Sequence, residues 1–172
     1  MEMLEKATKA IQKGKTPNFD APLSLTAEIN LHMPALIPDD YLGDVHQRLL
    51  FYKRISNTDT QEKLDNIRME LIDRFGTLPQ AVKQLFSVHQ IRLKAEHLGI
   101  TKIDINANGG YVEFSPDTPV QAISIIQLMQ KQPTYYRMEG GQRLKITVQL
   151  QEYDKRVQFI QDLLAKLVNE LH

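Results

Sequence analysis

The 172-residue chain contains no cysteine and no tryptophan, and its 21 basic and 21 acidic residues cancel to a formal net charge of zero. The missing thiols exclude disulfides, thiolate metal sites, iron–sulfur clusters and thiol nucleophiles at once, and they fit a reducing compartment. The zero balance removes any global pull toward phosphate backbones or anionic membranes, so a charged partner has to be met by a local patch. No run approaches the roughly 18 apolar residues that a membrane span needs. The opening Met1-Glu2-Met3-Leu4-Glu5-Lys6 is too acidic and too mixed for a secretory signal. The expectation is a cytoplasmic protein with no membrane partner. Aromatics make up 7% of residues against 42% hydrophobic overall, so the core has to be built mainly from aliphatic side chains.

Leu4, Ala7 and Ile11 predict a short helix up to Gly14, and the prolines at 17 and 22 predict an extended tether. Residues 1–26 therefore read as a helix and linker, and 27–172 as the compact domain. Alternation of Ala27, Ile29, Leu31 and Met33 predicts a half-buried strand stopped by Pro34. Asp44 is placed to cap a helix over 45–56 with Val45, Leu49, Tyr52 and Ile55 inward. A capping box, Thr58 with Gln61 or Asp59 with Glu62, opens a second helix that buries Leu64, Ile67, Leu71, Ile72 and Phe75 and closes at Gly76. A third helix runs from Pro79 to about Leu98, apolar over a broad arc and so central to the core.

After Gly99 the period changes to two. Ile103 and Ile105 with Val112 and Phe114 predict a hairpin around Asn108-Gly109-Gly110, and a second hairpin pairs 134–138 with 144–150 around Gly140-Gly141. The helix between them, 119–131, is apolar nearly all round, which argues for burial on more than one side. A last helix over 153–171 carries the stripe Tyr153, Val157, Ile160, Leu164, Leu167 and Leu171. The predicted class is α+β: a small, largely antiparallel sheet of two hairpins plus an N-terminal strand, packed with about five helices.

Chemical motifs are scarce. Gly14-Lys15-Thr16 resembles the end of a phosphate-binding loop, but Lys9 stands where the first glycine would fall, and a helix precedes it where a strand is required. His32, His46, His89, His97 and His172 form no H-E-x-x-H pair and no carboxylate cluster at ligand spacing. His89, on a stripe with Phe86 and Leu93, reads as a core-edge histidine with one hydrogen-bond partner. No catalytic residue, metal or cofactor is expected in this chain.

Two surfaces remain. Arg137, Arg143 and Lys145 with Tyr135 and Tyr136 have the composition of a modest nucleic-acid surface, or of a solvated sheet face. On the second helix, at 100° per residue, Glu62, Asn66, Met69, Glu70 and Asp73 point away from the core. Over 59–73 five acids oppose two bases, a local charge of −3. Glu70 and Asp73 lie in the last turns, where negative charge opposes the helix dipole by about 0.3–1 kcal/mol each. This is either a solvated face partly neutralised by Arg74 or a docking face for an arginine-bearing partner, with Met69 as its apolar anchor.

The ordered runs Leu36-Ile37-Pro38-Asp39-Asp40-Tyr41, Arg48-Leu49-Leu50-Phe51-Tyr52-Lys53-Arg54-Ile55, Glu70-Leu71-Ile72-Asp73-Arg74-Phe75-Gly76-Thr77-Leu78-Pro79 and Leu98-Gly99-Ile100 resemble the C-terminal domain of bacterial transcription-repair coupling factors. The similarity covers nearly the whole chain. It implies that residues 1–26 are the exit helix and tether of a translocase motor lying upstream, where ATP and Mg would bind. Members of that family are ATP-driven double-stranded DNA translocases that remove stalled RNA polymerase and recruit UvrA. The resemblance further implies that this domain packs on the N-terminal UvrB-like module of its own protein, hiding the UvrA surface, with acidic contacts at the positions of Glu70 and Asp73.

Overall fold

The period-two pattern after Gly99 becomes the middle of a five-stranded sheet in the computed structural model, which describes residues 26–169. The helix and tether expected over 1–26 lie, but for Thr26, outside the described residues. In chain order the elements are β1 (Glu28–Asn30), α1 (Val45–Ser56), α2 (Gln61–Phe75), α3 (Gln80–His97), β2 (Ile100–Asn106), β3 (Gly109–Phe114), α4 (Ala122–Lys131), β4 (Tyr136–Glu139), β5 (Arg143–Thr147) and α5 (Tyr153–Asn169). The sheet runs β1-β2-β3-β5-β4. Only β1 on β2 is parallel, with Ile29 opposite Ile103. The α+β class, the two hairpins and the five helices are as the pattern predicts.

One face of the sheet is buried. Ile103 and Ile105 of β2, Val112 and Phe114 of β3, and Leu144 and Ile146 of β5 pack with Ile91, Ala95 and Leu98 of α3 and with Ile160, Leu164 and Leu167 of α5. A second core joins Phe51 and Ile55 of α1 and Leu64, Ile67 and Leu71 of α2 to Val82, Leu85, Phe86 and Leu93 of α3, over the loop residues Ile37 and Leu42. The broad apolar arc of α3 serves both cores, which is why that helix has no single inner stripe.

Two buried arginines fasten loops to helices. Arg92 on α3, 7% exposed, donates to the carbonyls of Ile55 and Thr58 and to the Thr58 hydroxyl, so it closes the C-terminal end of α1. Its Nε donates to His89 Nδ1 at 3.0 Å. Arg156 on α5 donates to the carbonyls of Leu31, His32, Leu150 and Gln151, tying the exit of β1 to the start of the last helix.

Several local expectations change. Val45 and Leu49, expected inward on α1, are 57% and 60% exposed, whereas Phe51 is 2% exposed. The helix carries two arcs at three-four spacing, and the one bearing Phe51, which has no polar group to satisfy, takes the core, while Tyr52 keeps its hydroxyl on the Ile37 N–H. α4 does not bury more than one side: Ser124, Ile125 and Leu128 are inside, while Ile123 and Ile126 are 52% and 40% exposed. The N-cap of α2 is Thr60, accepting from the Lys63 N–H. Thr58 is instead buried and bonds to Ile55 and Arg92. The strands of the second hairpin are shorter than their hydrophobic pattern, β4 starting at Tyr136 and β5 ending at Thr147.

Candidate functional site

The acidic residues of α2 reach the surface because the other side of that helix is committed. Leu64, Ile67 and Leu71 fill the second core, so the 3.6-residue repeat turns Glu62, Asn66, Met69 and Asp73 to solvent. Met69 is 49% exposed in the middle of this crest. Among the described residues no ion pair forms to Asp73.

Glu70 is placed differently from the expectation of an outward, solvated acid. Its carboxylate accepts two hydrogen bonds from Arg54 of α1, at 2.7 Å and 3.1 Å, and one from Arg74 at 3.2 Å. The side chain is one-third exposed. The guanidinium of Arg54 holds the Glu70 carboxyl below the usual glutamate range, against the opposing effect of burial. The Arg54 and Arg74 guanidinium groups lie over the Phe51 and Phe75 rings, each 5.0 Å from a centroid. Arg74 also donates to Gln47 of α1. Arg54 and Arg74 thus relieve the conflict between Glu70 and the α2 dipole. The result is a fixed carboxylate beside an unpaired one, framed by apolar surface: Met69 on α2, and Leu50 on α1, which is 52% exposed and shares a stripe with Gln47 and Arg54.

Sequence reasoning missed Arg54, Gln47 and Leu50. Their spacing of three and four along α1 was available, but their partnership with residues 70–74 depends on α1 running antiparallel to α2 with Phe51 inward.

The second hairpin does not present a basic surface. Arg143 pairs with Glu113 and lies 4.1 Å over the Tyr111 ring. Arg137 and Lys145 both reach Glu139, at 3.4 Å and 3.9 Å. Register places acids and bases opposite one another across the open sheet face, as Glu28 with Lys102 and Glu113 with Arg143. Tyr136 is 3% exposed and stacks on Phe159 of α5, with its phenol pushed up to about 12 by burial. Tyr135 is half-buried against the same ring. Neither tyrosine lies among the cations. Among the described residues no group of three potential ligands could hold a metal ion, and no helix is long and apolar enough to cross a membrane.

Comparison with known proteins agrees with this architecture. The TRCF domain family model matches residues 31–125. The transcription-repair-coupling factor of Haemophilus influenzae is 43% identical over 97% of this chain, and that of Escherichia coli K12 is 40% identical over the same share. The Myxococcus xanthus factor is 31% identical over 83% of this chain. The chain spans only 15% of the Haemophilus protein and 14% of the Escherichia one. A solved C-terminal domain of transcription-repair coupling factor has the same fold, with a TM-score of 0.72 over 84% of this chain and 93% of that one at 20% identity. A matching family model over more than half the chain, and relatives this similar along nearly all of it, lead to one conclusion: the chain belongs to the transcription-repair coupling factor family.

Proposed function

We propose that this chain is the C-terminal regulatory domain of a transcription-repair coupling factor, and that the outer face of α2 docks on the N-terminal UvrB-like module of the same protein. Docked, it masks the surface that UvrA binds and restrains the ATP-driven DNA translocase that removes stalled RNA polymerase in transcription-coupled repair. ATP and Mg belong to the upstream motor, and the protein works in the cytoplasm. The observation that carries this reading is the placement on one helix face of Asp73, which has no ion-pair partner among the described residues, next to the fixed Glu70 and the half-exposed Met69. Arg54 and Arg74 together engage both oxygens of Glu70 and leave its side chain one-third exposed, so the carboxylate is oriented before an incoming arginine arrives. Displacement is a population shift: the closed form is lost when another partner of the motor favours the open one.

The test uses the full-length protein with Glu70→Lys and Asp73→Lys together. UvrA binding and ATPase activity are both expected to rise several-fold over the unmodified protein, and added salt is expected to raise them in the unmodified protein as the ion pairs are screened. Unchanged UvrA affinity and ATPase in the double variant would remove α2 from the docking contact.

A further inference from the structure

The side of α2 that faces α3 carries a second feature, opposite in sign to the crest. A cleft of about 480 Å³ lies between the two helices, with Leu64, Ile72, Leu78 and Phe86 as its apolar lining. Arg68 on the α2 wall and Lys83 on the α3 wall flank it. Among the described residues neither cation has an ion-pair partner. The acid in the lining, Asp65, accepts from Gln61 at 2.9 Å. Along α3, Lys83, Ser87, Gln90 and Lys94 recur at spacings of four, three and four, so the cationic wall extends beyond the cleft as one stripe with no acid in it. The acid nearest that stripe on α3, Glu96, is taken up by Arg92 and by the Ala27 N–H. Arg68 lies about 100° round α2 from Met69, the crest residue next to it in sequence.

We propose that this groove receives an acidic amphipathic helix of a partner protein. Its apolar residues would lie over Leu64, Ile72 and Phe86, and its carboxylates would meet Arg68 and Lys83 across the groove. The charge pattern selects an acidic partner. A wall repeating every three to four residues matches the ridges of a helix, and the sheet edges that could take up an extended strand lie elsewhere.

Amide NMR of the 172-residue chain, titrated with synthetic peptides, tests this. The probe is a helix with leucines on one face and flanking glutamates; its counterpart has lysine at every glutamate. The glutamate peptide is expected to shift the amides of Arg68, Ile72, Lys83 and Ser87 saturably, and the lysine peptide to leave them in place. Arg68→Glu with Lys83→Glu is expected to weaken binding about tenfold or more. Arg68→Gln with Lys83→Gln should give a smaller loss, with thermal unfolding unchanged in both. The glutamate peptide should leave the side-chain amide of Asn66, on the crest, in place, which separates this site from the crest. Absence of saturable shifts, shifts mapping elsewhere, or affinity unaltered by the Arg68 and Lys83 changes overturns the proposal. So does a DNA duplex that displaces the peptide with equal affinity, which would make the groove a phosphate surface, or concentration-dependent shifts of the same amides without peptide, which would make the occupant a second copy.

Discussion

His89 has its Nδ1 lone pair committed to Arg92 Nε and lies packed on α3, so protonation costs it both a hydrogen bond and solvation. Burial, then the Arg92 charge, pushes its pKa down from 6.5 to about 4. The folded state therefore binds fewer protons than the unfolded state between those values, and stability is expected to fall as pH drops from 6.5 toward 4. His89→Asn, which keeps an acceptor near Arg92, should flatten that part of the pH profile in urea unfolding. An unchanged slope would show that another group carries it. The sequence announced this residue correctly as a core-edge histidine with one partner. It also announced the α2 crest, because Met69 and Asp73 follow directly from 100° per residue. It could not announce the state of Glu70. Arg54 is sixteen residues away, and only the folded pairing of two helices brings the groups together.

At the scale of elements, α1 explains where pattern reading stops. Its arcs Val45/Leu49/Tyr52 and Arg48/Phe51/Ile55 both satisfy a helical repeat, and a single sequence does not rank them. Packing does: the second arc closes on Leu64, Ile67 and Leu71 of α2. Phe51→Ala is expected to cost about 3–5 kcal/mol, as a buried aromatic truncation does. Leu49→Gln, at a position 60% exposed, should stay within about 0.5 kcal/mol. Chemical denaturation of the two variants checks the assignment, and a reversal of their order would return α1 to its other rotation. α4 misled for a related reason. An all-round apolar sequence predicts burial, but this short helix touches the body along one side and leaves Ile123 and Ile126 open.

For the molecule as a whole, α3 is the common wall of two cores, and Arg92 spans from it to the end of α1. Neither core can lose α3 without exposing the other, so the described domain is expected to unfold in one transition, with tyrosine and far-ultraviolet circular dichroism coinciding. Arg92→Leu leaves the carbonyls of Ile55 and Thr58 without their donor and should lower stability by about 2–4 kcal/mol. Separate transitions in the unmodified chain would mean that the cores are independent units. The sheet order was only partly legible. Two hairpins follow from alternating strands around glycine pairs, although Gly109 and Gly110, expected in the first turn, pair inside β3 and leave the turn to Ala107 and Asn108; the parallel placement of β1 beside β2 rests on contacts across 69 and 125 residues, with Ala27 N–H bonded to Glu96 and Leu31 to Arg156.

That placement gives the domain a mechanical character. A pull applied ahead of Ala27 would enter at a three-residue edge strand, braced at one end by a carboxylate on α3 and at the other by a guanidinium on α5. A load on that strand would pass directly to β2 through their shared register and, at its two ends, to α3 and α5. A pull strong enough to peel the strand away has to break both anchors, and the helical crest on α2, which shares no hydrogen bond with β1, can keep its shape while the strand yields.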